Sequence, residues 1–113
     1  MTDQQKAEII TKEICYTLNI DKSELFNRSR ERKLVEARQF IFYFIHEYTE
    51  LGYKSIGKIF NMDHSSVIYS CKNIDNMITW NGYGKKASRL RTAVIASIGM
   101  DDLERMCVSM AQF

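Results

Sequence analysis

Apolar residues along this 113-residue chain recur at intervals of three and four, with charged and polar positions between them, which predicts amphipathic helices. The first covers residues 4–19, where Ala7, Ile10, Ile14 and Leu18 are spaced 3, 4 and 4. Thr2, with Gln5 three positions on, predicts a capping box at its start. Asp21 and Glu24 repeat that signature before a short helical turn ending near Phe26. A long helix follows from about Lys33 to Leu51, with Leu34, Ala37, Ile41, Phe44, Ile45 and Tyr48 inward and Gly52 as its terminating C′ glycine. Phe40, Phe42 and Tyr43 widen its apolar surface beyond one stripe, so a central helix packed on two sides is expected. A platform for stacking single-stranded bases would use the same aromatics, but their helical spacing argues for core.

Two shorter patterns come next. Ile56, Ile59 and Phe60 dock a helix over Ser55–Phe60; Val67, Cys71, Ile74 and Ile78, spaced 4, 3 and 4, dock another. Gly57 would let the two cross closely, although a glycine merely tolerated in a helix costs only about 1 kcal/mol relative to Ala. Trp80-Asn81-Gly82-Tyr83-Gly84 reads as a linker. Beyond it, Ala87, Leu90, Val94 and Ile98 form one helical pattern and Leu103, Met106 and Met110 a second, with Gly99 between them.

At the junction of the two middle helices, residues 63–67 read Asp-His-Ser-Ser-Val. Asp63 suits an N-cap whose carboxylate accepts the backbone N–H of Ser65 or Ser66. His64, Ser65 and Ser66 then occupy the first turn, the end of a recognition helix that meets base edges. With Asn61-Met62 as the tight turn, the segment reads as a helix-turn-helix. A capped helix in an ordinary bundle would carry the same pentapeptide.

Residues 28–39 add a second signal: Arg28, Arg30, Arg32, Lys33 and Arg38 stand against two acidic residues. Basic side chains at a helix N-terminus oppose its macrodipole, so an outside requirement such as DNA phosphates explains them better than a solvated face does. The fold class expected is all-α, a helical bundle containing the helix-turn-helix. Residues 1–79 form its DNA-binding domain; 80–113 form a linker and a two-helix C-terminal extension packed on the same domain.

Composition excludes several classes. Hydrophobic content of 45% with 27% charged residues is ordinary for a globular chain, and the absence of proline leaves the helical patterns uninterrupted. No apolar run approaches 18 residues, so no membrane span is expected, and the polar start Met-Thr-Asp-Gln-Gln predicts no signal peptide. Cys15, Cys71 and Cys107 are odd in number and far apart, which predicts reduced thiols in a cytoplasmic, nucleoid-associated protein rather than disulfides or a zinc site. His46 and His64 lack partners at metal spacing. The net charge of +2 says little, but its positives cluster at 28–38 and again at Lys85, Lys86, Arg89 and Arg91.

From about Gln5 to Met77 these residues resemble the C-terminal, DNA-box-binding domain (domain IV, TrpR-like) of the bacterial replication initiator DnaA. Arg30-Glu31-Arg32-Lys33-Leu34-Val35-Glu36-Ala37-Arg38-Gln39, Ser55-Ile56-Gly57, Asp63-His64-Ser65-Ser66-Val67 and Cys71-Lys72 carry the likeness. It implies that Arg30 enters the minor groove of an A·T-rich half-site, and that Arg38 and Gln39 contact DNA from the start of the long helix. Asp63, His64, Ser65 and Ser66 match its major-groove readers. Serines replace the usual threonines, removing methyls that would meet thymine. The chain also departs from the pattern in a turn one residue shorter, in His46 where the family has a DNA-contacting lysine, and in lacking the nucleotide-binding and helicase-loading domains. Arg28, Arg32, Lys33, Lys54 and Lys72 complete the expected DNA-binding set.

No Gly-x-x-x-x-Gly-Lys-[Ser/Thr] loop occurs, so no nucleotide partner is expected. His64, Ser65 and Ser66 diverge in direction on a helix and make no hydrolytic dyad. No enzyme, cofactor or metal is expected. Two functions stay open: sequence-specific binding of double-stranded DNA at DnaA-box-like sites, in replication-origin or transcriptional control, on a phage or other mobile element; or a protein-interaction module derived from the same fold. The apolar residues of 85–113 are expected to pack back on the first and third helices, in preference to forming a homo-oligomer interface.

Overall fold

A computed structural model describes residues 2–25, 31–80 and 84–110, with Trp80 and residues 100–110 as backbone only. Among the described residues there are six helices and no strand. The first, α1 (Asp3–Thr17), starts at the capping box: Gln5 N–H donates to Thr2 Oγ1 at 3.2 Å, and Thr2 N–H to Gln5 Oε1 at 3.0 Å. It stops where Asn19 turns left-handed, at φ 56°. The N–H of Ile20 then reaches the Cys15 carbonyl at 2.8 Å and that of Asn19 the Tyr16 carbonyl at 3.2 Å, the paired bonds of a Schellman ending. After α2 (Lys22–Leu25), introduced by an Asp21 carboxylate that accepts from Ser23 N–H, the chain enters α3 (Arg32–Tyr48).

Helix α3 is the axis of the fold. Leu34, Ala37, Phe40, Ile41, Phe42, Phe44 and Ile45 are all buried, on more than one face, as the width of its apolar surface predicts. One side packs on α1 and the other on α4 (Tyr53–Ile59) and α5 (His64–Trp80). The helix is shorter than expected. It ends at Tyr48 with Thr49 as C-cap, and Gly52, expected as its terminator, is instead the extended N-cap of α4. Thr49 explains the early stop, because its Oγ1 donates to the Ile45 carbonyl and accepts from Leu51 N–H.

The C-terminal segment is one helix, α6 (Gly84–Met110), and not the two expected. Gly99 lies inside it, since a single glycine costs a helix too little to break one anchored by packing. Ala87, Leu90, Val94 and Ile98 are buried and belong to the same core as Ala7, Ile10 and Ile14. Packing back on α1 is thus what the structure shows for these four. The side chains of Leu103, Met106, Cys107 and Met110 lie outside the described residues, as do Phe26, Arg28, Arg30 and the linker residues 81–83.

Two of the four cations in the first half of α6 are tied to α3. Lys86 pairs with Glu36, while Arg91 Nη1 donates to Glu47 Oε1 at 2.6 Å and to Tyr48 Oη at 3.0 Å, its guanidinium 5.5 Å from the Phe44 ring centroid. The Glu47 carboxylate holds the Arg91 pKa above its ordinary value. Arg91→Lys keeps the charge but loses the planar fork and the ring contact. It is expected to cost about 1 kcal/mol in a thermal melt, a modest figure because water screens a pair a third exposed. An unchanged melt would show that the cluster is ornamental to the fold.

Cys15 and Cys71 are buried free thiols. Burial pushes the Cys71 thiol up to about 11, so it stays protonated and acts as a packing residue.

Candidate nucleic-acid interface

Helices α4 and α5 meet through a turn built on three residues. Helix α4 starts two residues before its expected position and ends at Ile59, with Phe60 as C-cap. Asn61 takes a left-handed conformation, φ 52°, which asparagine tolerates better than most residues. Met62 N–H donates to the Gly57 carbonyl at 2.7 Å and Asn61 N–H to the Lys58 carbonyl at 3.4 Å. This is a second Schellman ending, and it turns the chain in only two residues. Gly57 is required by it: a Cβ there would lie 2.5 Å from the Met62 carbonyl oxygen and 3.5 Å from His64 N. The Phe60 ring meets Phe42 edge-on at 5.3 Å, fixing the turn to α3.

Asp63 caps α5 differently from the expectation. Its backbone carbonyl accepts from Ser66 N–H at 3.0 Å and Val67 N–H at 3.3 Å, whereas its carboxylate lies 3.3 Å from His64 Nδ1. The side chain has turned from the helix amides toward the neighbouring imidazole. Asp63, His64 and Ser65 are exposed and Ser66 is half-buried, while Val67, one residue on, is wholly buried. The first turn of α5 therefore projects beyond the body of the fold. Its register is held further along: Val67, Cys71 and Ile74 enter the core, and Asn73 Nδ2 donates to Gln39 Oε1 of α3 at 2.8 Å.

The other expected contact residues fall into separate groups. Arg32 and Lys33 are exposed at the start of α3, where Lys33 Nζ donates to the Asn19 carbonyl at 3.3 Å. Arg38 is half-buried, and Gln39 holds Asn73 as described. Lys54 is exposed near the start of α4. Lys72 is exposed on α5 beside a cleft of about 260 Å³ also lined by Glu47 and Asp75. His46, at the family's lysine position, lies flat on Tyr53 with ring centroids 4.2 Å apart and 4° between planes. From the Gln39–Asn73 contact, Arg32 is about 10 Å back along α3 and His64 about 14 Å back along α5, at 1.5 Å per residue. The structure thus makes two patches, one at each helix start.

One exposed side chain escapes a reading of the sequence by stripes. Tyr69 is 65% exposed and stands one turn beyond Ser65 on the same face, with Lys72 a further turn along. A signal is present, because Tyr69 is the aromatic residue of this helix that lies off its Val67–Cys71–Ile74 stripe before Trp80.

Comparison with known proteins agrees with this geometry. The family described as "Bacterial dnaA protein helix-turn-helix" matches residues 7–74, more than half of the chain. Similar proteins include three named chromosomal replication initiator protein DnaA. That of Oleidesulfovibrio alaskensis is 41% identical over 68 residues, 60% of this chain and 15% of its own length. The Synechococcus sp. protein is 35% identical over 72 residues (63% and 15%), and the Flavobacterium psychrophilum protein 32% over 80 (70% and 17%). The chain therefore spans less than a fifth of the length of these curated relatives. The matched residues run from α1 through most of α5 and take in the whole α4–α5 motif, and on that ground the chain belongs to the bacterial DnaA helix-turn-helix family, a DNA-binding and not a catalytic one.

Proposed function

We propose that the protein binds double-stranded DNA sequence-specifically at DnaA-box-like sites, in replication-origin or transcriptional control. The observation that supports this most is the projecting first turn of α5. Ser65 and Ser66 present hydroxyls that have no intramolecular partner among the described residues, next to the His64 imidazole. Hydroxyls and imidazoles offer both donors and acceptors to base edges in a major groove wide enough to admit a helix. Tyr69, on the same face, is suited to a phosphate through its hydroxyl or a thymine methyl through its ring. Arg28, Arg30, Arg32 and Lys33 serve the backbone and the adjacent minor groove, Arg30 as the inserted guanidinium. In this reading Arg38, Lys54 and Lys72 add phosphate contacts, and Gln39 acts chiefly by setting the register of α5.

The test is a titration of labelled duplexes, box-containing against scrambled, at two salt concentrations. His64→Ala and Ser66→Ala should each cost roughly 1–3 kcal/mol of preference for the box and leave scrambled-duplex binding nearly intact. Tyr69→Ala is measured in the same way, and should weaken binding to the box. Equal weakening of His64→Ala on both duplexes would mean that the tip of α5 does not read bases. No duplex binding by the parent at low salt would favour a protein partner for the same fold.

A further inference from the structure

The cations in the first half of α6 divide into two kinds. Lys86 and Arg91 point at α3 and are paired with Glu36 and Glu47. Lys85 and Arg89 are exposed and, among the described residues, have no acidic partner. Both line a shallow groove of about 800 Å³ between the end of α1 and the first half of α6. Thr17, Ser88 and Thr92 line it too, with Ala93 and Ala96 as its floor of small residues; no described residue lining it is acidic. Two other clefts differ in this respect: Glu47 and Asp75 line one, and Glu8 another.

This groove adjoins the basic start of α3. The end of α1 and the turn that follows it touch both, through Thr17 in the groove wall beside Lys85 and through the Asn19 carbonyl that accepts from Lys33. The Lys86–Glu36 pair brings the first turn of α6 against the second turn of α3. Arg32 and Lys33 of α3 and Lys85 and Arg89 of α6 thus lie to either side of the end of α1. Lys85 and Lys86 also sit in the first turn of α6, where positive charge opposes the macrodipole. Glu36 compensates Lys86; Lys85 has no such partner among the described residues.

We infer that the α1–α6 groove is a second DNA-backbone contact surface, in which Lys85 and Arg89 neutralise phosphates of the duplex held by the α4–α5 motif. The inference rests on the duplex-binding function proposed above. A duplex presents one negative charge per about 1.7 Å of axis, so cations to either side of the end of α1 meet phosphates of the same strand pair. Ser88 supplies a hydroxyl donor to the same oxygens, and the small residues let the backbone approach closely. The contact carries no sequence information.

The experiment measures affinity of the full chain and of Lys85→Ala/Arg89→Ala for box-containing and scrambled duplexes across a salt series. Each phosphate that the variant no longer neutralises should flatten the slope of log affinity against log salt by about 0.9. Over a fourfold rise in salt, the parent should therefore lose about tenfold more affinity than the double variant, equally on both duplexes. Lys85→Arg/Arg89→Lys, which keeps both charges, should restore the parent slope, and its melting temperature and that of the alanine pair should match the parent. An unchanged slope in a parent that binds duplex overturns the surface and leaves the proposed function standing. A loss confined to the box sequence overturns it as well, because phosphates do not discriminate. A parent with no duplex affinity removes the proposed function first and this surface with it.

Discussion

A chain ending at Gly84 should show no cooperative unfolding transition, by circular dichroism or in a denaturant series. Helix α6 contributes Leu90, Val94 and Ile98 to the core at 1%, 0% and 8% exposure, with Ala87 beside them. Burying each of the three large side chains is worth roughly 1.5–3 kcal/mol. Their removal also uncovers the α6-facing side of α1 and takes Arg91 away from the Phe44 ring. Domains are stable by only about 5–15 kcal/mol in total, so losses of this size leave little or nothing. A truncated chain that melts cooperatively and keeps its far-ultraviolet spectrum would show that α1 and α3 find another cover, such as a second copy of themselves. The sedimentation coefficient of that species would then reveal the copy.

Gly57→Ala is expected to destabilise the fold by about 1–3 kcal/mol and to remove preference for the box altogether. The added methyl would sit 2.5 Å from a backbone oxygen, that of Met62, which cannot rotate away as a side chain would. Relief requires α4 and the turn to separate, and that breaks the Met62–Gly57 hydrogen bond closing the turn. The tip of α5 would then leave its angle to α3 even if the core survives. Gly52→Ala is the internal control. Nothing lies within 4 Å of a Cβ at that position and its φ is −78°, so the change should stay within about 1 kcal/mol and spare binding. Were the two alanine variants to behave alike in a urea melt and a duplex titration, the close approach at Gly57 would have no functional weight.

The helices are legible in the sequence because an amphipathic spacing of 3 and 4 is itself the register of core-facing residues. Ala7–Ile10–Ile14, Leu34–Ala37–Ile41, Val67–Cys71–Ile74 and Leu90–Val94–Ile98 all reach the core. The capping box at Thr2 is equally readable, since both partners lie within one turn. Glycines are less legible. Gly52 follows one helix and precedes another, and local sequence does not say which end it serves; Thr49 decides it by folding its hydroxyl back onto Ile45. Gly99 suggests a break, yet packing of the preceding turns outweighs one glycine. The polar residues are hardest. Whether a cation is free or paired depends on what a distant segment brings to it: Glu36 is 50 residues from Lys86, and Glu47 is 44 from Arg91. The Asp-His-Ser-Ser motif at 63–66 is legible, but the turning of the Asp63 carboxylate toward His64 is not.

The recognition helix is fastened by its middle and free at its tip. Val67, Cys71, Ile74 and the Asn73–Gln39 bond hold it, and Asp63, His64 and Ser65 are exposed. Substitutions at such exposed positions usually alter stability by less than about 0.5 kcal/mol. If the tip reads DNA as proposed, target choice is free to drift, or to be redirected in a library of tip sequences, without a compensating change elsewhere in the chain. Under the function proposed above, Ser65 and its neighbours are positions where a new preference in DNA is reached in single steps, each of which leaves a folded protein.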